Sequence, residues 1–147
     1  MTRIVIIGGG PAGYEAALVA AQLGAQVTVI ERDGIGGASV LTDCVPSKTL
    51  IAAAGTMTSV RESAALGLQG ADLRTVVLDL ASVNQRVKGL AMAQSADIHE
   101  RLSAQGVRII AGQGRLSDEI RGMAAHRVEV LDAEDQVIEE LESDAVL

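Results

Sequence analysis

The stretch Gly8-Gly9-Gly10-Pro11-Ala12-Gly13 constrains this 147-residue chain more than any other feature. It has the spacing G-x-G-x-x-G. Before it stands Arg3–Ile7 (RIVII), a β-branched run that is continuous rather than alternating, as in a strand buried on both faces. After it, Pro11 to Leu23 reads as a helix. Pro11 suits the first turn, where a missing N–H costs nothing, and Gly24 falls where a left-handed C-cap is expected. Gln26–Ile30 (QVTVI) reads as a second strand, closed by Glu31. Together these make one βαβ unit in about 30 residues.

A lone G-x-G-x-x-G is a weak signal, and this context strengthens it. In a strand–turn–helix frame Gly8 allows the tight turn, Gly10 lets the backbone approach a pyrophosphate, and Gly13 lets helix and strand pack closely. Pro11 and Ala12 belong to the opening turn, whose free N–H groups and dipole favour negative charge. Glu31 comes 18 residues after Gly13. Its carboxylate can accept hydrogen bonds from both hydroxyls of an adenosine ribose and would repel a 2′-phosphate. The site therefore suits FAD or NAD over NADP, and the adjacent Arg32 is grouped with it. The competing readings are a purely structural turn for the glycines and a solvated strand end for Glu31.

Farther on, Asp33 to Asp43 reads as a loop with three glycines, and Pro46 marks the start of a second helix running toward Ala54 or beyond. Residues 59–79 carry no clear period. Ser82 to Ala104 is predicted helical, with Val83, Val87, Leu90, Ala91, Gln94, Ile98 and Leu102 on one face and Gln94 its polar exception. Val107–Ala111 (VRIIA) reads as a strand, and Arg127–Leu131 (RVEVL) alternates like a half-exposed one. Glu140 to Leu147 passes from acidic to apolar, as a strand does on entering a core, and then the chain stops. Truncation is the expectation; a short edge strand or a frayed tail is the alternative.

Composition excludes several classes. Twelve Lys and Arg against 19 Asp and Glu leave a net charge of −7. That balance argues against a nucleic-acid partner, which needs clustered cations, and one Tyr without Phe or Trp gives bases nothing to stack on. Cys44 is the one cysteine, so no disulfide can close within the chain. His99 and His126 are far apart and make no metal motif; the first reads as a solvated helix position and the second as a loop residue. The acids from Glu134 to Asp144 read as solvated surface. No apolar stretch approaches the roughly 18 residues of a membrane span, and Ile4–Ile7 is too short for a signal-peptide core. The expectation is a soluble protein of a reducing, bacterial-type cytoplasm. A mean hydropathy of +0.31 further predicts an apolar face left open, which would drive association.

The segment Gly36 to Lys48 (GGASVLTDCVPSK) resembles the redox segment of the flavoprotein disulfide reductases, the family of lipoamide dehydrogenase and glutathione reductase, where the pattern runs GGxCxxxxCxPSK. With GGGPAG and Glu31, the resemblance covers that family's N-terminal FAD-binding part. Ile110 to Gly114 looks like its later G-x-G turn, whose backbone contacts FAD, so Gly37 and Gly114 join the cofactor-binding residues. The resemblance implies a Rossmann-like α/β domain over residues 1–147, with a central parallel sheet and an added β-meander. The NAD(P)H-binding and interface domains of the family lie outside it.

Two departures matter. The family's first cysteine falls on Ser39 and its second on Cys44, while Asp43 stands where glycine is common. Disulfide exchange needs a thiolate attacking a disulfide sulfur, so a relay from flavin to disulfide cannot run here. By resemblance Cys44 faces the flavin ring and Lys48 lies near its N5 edge, where a cation stabilises reduced flavin. The competing readings are a small buried apolar Cys44 and a solvated Lys48. The one-cysteine pattern is similar to actinobacterial lipoamide dehydrogenase homologues that act as NAD(P)H quinone reductases. That implies an FAD-dependent oxidoreductase with NAD(P)H as co-substrate, a quinone-like acceptor and a homodimeric parent. The isolated chain would turn over little. The rivals are a non-catalytic FAD- or NAD-binding module and an NAD-dependent dehydrogenase.

Overall fold

The computed structural model describes residues 1–68, 75–117 and 126–147. In chain order the elements are β1 (Arg3–Ile7), α1 (Pro11–Gln22), β2 (Gln26–Glu31), α2 (Gly37–Leu41), α3 (Cys44–Glu62), a 3-10 turn (Ser63–Leu66), α4 (Leu80–Ala104), β3 (Arg108–Ala111), β4 (Gln113–Leu116), β5 (His126–Leu131), β6 (Val137–Ser143) and β7 (Ala145–Val146). A parallel sheet has the order β3-β2-β1-β7, and β4-β5-β6 form an antiparallel meander. This is the expected α/β architecture, a parallel sheet with an added meander.

Three layers explain the strand sequences. Ile6, Val27 and Val29 turn to one face and pack with Ala17 of α1 and with Ile98 and Leu102 of α4. Val5 and Ile30 turn to the other and meet Val128 and Val130 of β5. Because β1 is covered on both sides, RIVII shows no polar alternation. Gly24, at φ +83°, ends α1 in the left-handed conformation its position predicted.

Several boundaries differ from the sequence reading. The span from Asp33 to Asp43 is not all loop: it contains α2, a five-residue helix too short to show a period. The second helix begins at Cys44, two residues before Pro46. Proline is tolerated there because first-turn N–H groups have no helical partner. That helix then runs to Glu62, into a stretch with no readable period, and it buries none of its residues. A helix without a buried face shows no apolar stripe. In α4 the core stripe is Ala91, Ile98 and Leu102, with half-buried Ser95 among them; Gln94 is exposed. Leu90, also expected on the face, is 41% exposed. His126 opens β5 rather than lying in a loop, and Gln113–Leu116 is a strand.

The tail divides in two. Residues up to Ser143 finish β6 in the meander, and Ala145–Val146 cross to the parallel sheet beside β1. Asp144 makes the transfer. Its carboxylate accepts the Arg3 N–H at 2.7 Å, and its own N–H donates to the Arg3 carbonyl at 2.9 Å. The Arg3 backbone bond, aided by the guanidinium, holds the Asp144 carboxyl below its ordinary range. The apolar surface expected from composition lies mostly around α3, α4 and their connection, with Ile51 69%, Leu66 82% and Met92 63% exposed.

Candidate functional site

The glycine loop opens at the C-terminal end of β1, the edge of a parallel sheet where ligands bind. Gly8 has φ +105°, and its N–H donates to the Ile30 carbonyl at 2.8 Å, keeping the loop against β2. A Cβ on Gly13 would lie 1.9 Å from the Gly8 carbonyl oxygen, so α1 approaches β1 this closely only with glycine. Gly10 is different. It is the N-cap of α1 in extended backbone, φ −69°, and a Cβ there would meet nothing within 4 Å. Pro11 is the first helical residue, and among the described residues no side chain caps this helix. Pro11 and Ala12 are exposed. The turn thus presents open space beside free N–H groups.

Glu31 closes the floor at the end of β2. Its Oε2 accepts the Gly9 N–H at 2.6 Å and its Oε1 accepts the Asp33 N–H at 2.7 Å. A carboxylate has about four lone-pair sites, so both oxygens keep capacity for a further donor such as a ribose hydroxyl. Arg32 turns to its neighbour instead: Nη2 lies 3.0 Å from Asp33 Oδ2. That hydrogen-bonded guanidinium holds the Asp33 carboxyl below its ordinary range.

The Ile35–Gly37 turn forms the outer wall. The Gly36 N–H donates to the Gly9 carbonyl at 2.8 Å. Gly37 has φ +57°, and a Cβ there would sit 3.0 Å from the Gly10 Cα. Ile35 is buried over Gly9. On the far side β4 crosses close to β1: a Cβ on Gly114 would be 2.9 Å from the Ile7 side chain. The fold therefore gathers Gly8 to Gly13, Glu31, Gly37 and Gly114 at the ends of β1 and β2. Sequence reasoning missed Gly9, Ile35, Gly36 and Ser95, whose hydroxyl donates to the Ile35 carbonyl at 2.5 Å. The trace of Ser95 was a polar break in the α4 stripe, placed one residue early at Gln94.

Ser39 on α2 and Cys44 at the start of α3 face each other: the Ser39 hydroxyl donates to Cys44 Sγ at 3.4 Å. Cys44 is exposed, which sets aside its reading as a buried apolar residue. Asp43, where glycine was common, has φ −124° and ψ −89°, so the position is not in the left-handed region that favours glycine. Lys48 is exposed one turn along α3, on the same helix face as Cys44 by its i+4 spacing. It borders a groove shared with Thr49, Ala52, Arg86 and Leu90. Among the described residues no cluster of His, Cys, Asp and Glu could hold a metal ion, and no helix is long and apolar enough to cross a membrane.

The family model for pyridine nucleotide-disulphide oxidoreductases matches residues 2–145. The NAD(P)H dehydrogenase (quinone) of Mycobacterium tuberculosis H37Rv is 53% identical over 150 residues, covering 100% of this chain and 30% of that protein. A dihydrolipoyl dehydrogenase of Geobacillus stearothermophilus is 31% identical over 117 residues, covering 80% of this chain and 24% of that protein. The crystal structure of LpdA from M. tuberculosis aligns with a TM-score of 0.87 at 51% identity, over 99% of this chain and 31% of that one. The HOCl-induced flavoprotein disulfide reductase RclA of Escherichia coli, at 23% identity and a TM-score of 0.67, covers 99% and 27% and shares the fold. The chain thus spans about 30% of the length of its nearest matches among these. A match across nearly every residue, together with a superposition at half identity, leaves one assignment: this chain belongs to the pyridine nucleotide-disulphide oxidoreductase family.

Proposed function

We propose that these residues are the FAD-holding part of an oxidoreductase that passes a hydride from NAD(P)H by way of FAD to a quinone-like acceptor, without a redox-active disulfide. The residues present fit FAD. Gly10 offers an approach with no side chain in the way, Glu31 keeps acceptor capacity at the end of β2, and Gly37 and Gly114 wall the cleft where Cβ atoms would crowd it. When bound, FAD supplies the two-electron chemistry, and the protein supplies binding, orientation and electrostatics.

The roles follow from these positions. The N–H groups opening α1 at Gly10 to Gly13 hold the pyrophosphate. Glu31 orients the ribose and discriminates against a 2′-phosphate, with Arg32 beside it. Cys44 and Lys48 present a sulfur and a cation on one face of α3, and Lys48 stabilises negative charge on reduced flavin. The observation that carries the disulfide-free reading is the Ser39–Cys44 pair. An oxygen stands 3.4 Å from the one cysteine sulfur of these 147 residues, and thiol–disulfide exchange has no second thiol among them to use. NAD(P)H is held by a part of the protein beyond these 147 residues, the whole works as a cytoplasmic homodimer, and residues 1–147 alone turn over little.

The test is reconstitution and assay. The chain mixed with FAD should retain a flavin absorbance spectrum through gel filtration; a colourless product overturns the cofactor reading. The complete protein should reduce a quinone with NAD(P)H and fail with lipoamide. Comparable lipoamide turnover would sink the disulfide-free route.

A further inference from the structure

Hydroxyls on the two long helices mostly serve their own helix. Thr49, Thr56, Thr58, Ser59 and Ser103 each donate to the carbonyl four residues back, a common local satisfaction of a helical hydroxyl. Ser95 instead donates to the Ile35 carbonyl, 60 residues away in sequence, at 2.5 Å. It sits within the stripe of Ala91, Ile98 and Leu102, where an apolar residue would be the ordinary choice, since a polar group in such a place is costly unless hydrogen-bonded.

What Ser95 holds is the wall of the glycine loop. Ile35 is 4% exposed and covers Gly9. The next residue, Gly36, bonds the Gly9 carbonyl, and Gly37 lies against the Gly10 backbone. A displaced Ile35 carbonyl would therefore carry the turn away from both loop glycines. We infer that Ser95 is a positioning residue for the cofactor: it clamps the Ile35–Gly37 turn onto the glycine loop and so sets the width of the cleft in which the pyrophosphate lies. This rests on the FAD reading above.

The experiment titrates FAD into the complete apo-protein and its Ser95→Ala, Ser95→Thr and Ser103→Ala variants, and follows hydrogen exchange at the Gly36 and Gly37 amides without cofactor. Ser95→Ala should weaken FAD binding about fivefold or more, which is about 1 kcal/mol, and speed exchange at Gly36. Ser95→Thr keeps the hydroxyl and should stay within about twofold of the parent on the same scale. Ser103→Ala, on the same helix, should change neither. Should Ser95→Ala fail to fold, Ser95→Cys, of similar size with a weaker donor, carries the same comparison. Parental FAD affinity and parental Gly36 exchange in the variant lacking the hydroxyl overturn the clamp. FAD that fails to bind the parent overturns the cofactor reading instead, and Gly36 exchange still reports on the clamp.

Discussion

Replacing Gly10 by alanine separates folding from cofactor binding with one methyl group. The backbone at Gly10, φ −69° and ψ −177°, is open to alanine, and the new Cβ meets nothing within 4 Å. Two small terms oppose each other in stability. Alanine is a poorer N-cap than glycine by up to about 1 kcal/mol, and it lowers the entropy of the unfolded chain by about 0.4–1 kcal/mol. The net change should be within about 0.5 kcal/mol, about 2 °C in Tm for a chain of this size. The cost falls on FAD. A methyl would push a phosphate oxygen beyond the 2.7–3.2 Å range of an N–H hydrogen bond. Bonds to charged groups are worth about 1.5–3 kcal/mol each, so losing one or two amounts to about 3 kcal/mol, a fall in affinity of about 100-fold. Gly13→Ala is the mirror case. Its Cβ would stand 1.9 Å from the Gly8 oxygen, against about 3.3 Å for an ordinary close C···O approach. Helix and strand must part, at about 1–3 kcal/mol or more. Calorimetry without cofactor and a flavin titration measure the two effects. A Gly10→Ala protein that binds FAD like its parent, or that loses stability as Gly13→Ala does, would contradict the roles given to the two glycines.

Other consequences are equally direct. The folded Asp144 carboxyl lies below its ordinary value of 3.8, so its contribution is present above that pH and is lost as pH falls through the folded value. Asp144→Asn should melt lower than the parent at pH 7, with the gap closing in acid; a constant gap in thermal melts across pH would count against this. Ser39→Cys should create an oxidisable pair where oxygen and sulfur now touch at 3.4 Å. Thiol titration should then find both groups lost after mild oxidant, and two surviving thiols would contradict it. Leu102 is 0% exposed, so Leu102→Ala should cost about 2–5 kcal/mol in urea unfolding. Met92→Ala, at a site 63% exposed, should stay within about 0.5 kcal/mol, and equal effects would mean that the α4 stripe is wrongly placed.

The runs RIVII and GGGPAG and the acid at position 31 are enough to predict β1, α1, β2 and the glycine turn between the first two. Each of those features is local: strand burial, a turn needing glycine, a helix start and a strand end all lie within 31 residues. The helix α3 was half legible. Its beginning was blurred because proline fits any of the first positions, and its end because it buries nothing. The short helix α2 fell below the length at which periodicity registers.

Long-range pairing was decided only by the tertiary structure. Nothing in ELESDAVL says that the chain changes sheets at Asp144, because that follows from Arg3 being close enough to bond it. Nothing near Ser95 marks it as a partner of Ile35, since the bond exists only once α4 lies against the glycine-rich turn. Likewise the residue types at 39 and 44 were plain in the chain, but their contact depended on the angle between two helices. Spacing along one backbone determined which groups could build a nucleotide cleft. Close packing of segments distant in sequence decided which of them meet: the Ile35–Gly37 turn on the glycine loop, and Ser95 on the Ile35 carbonyl.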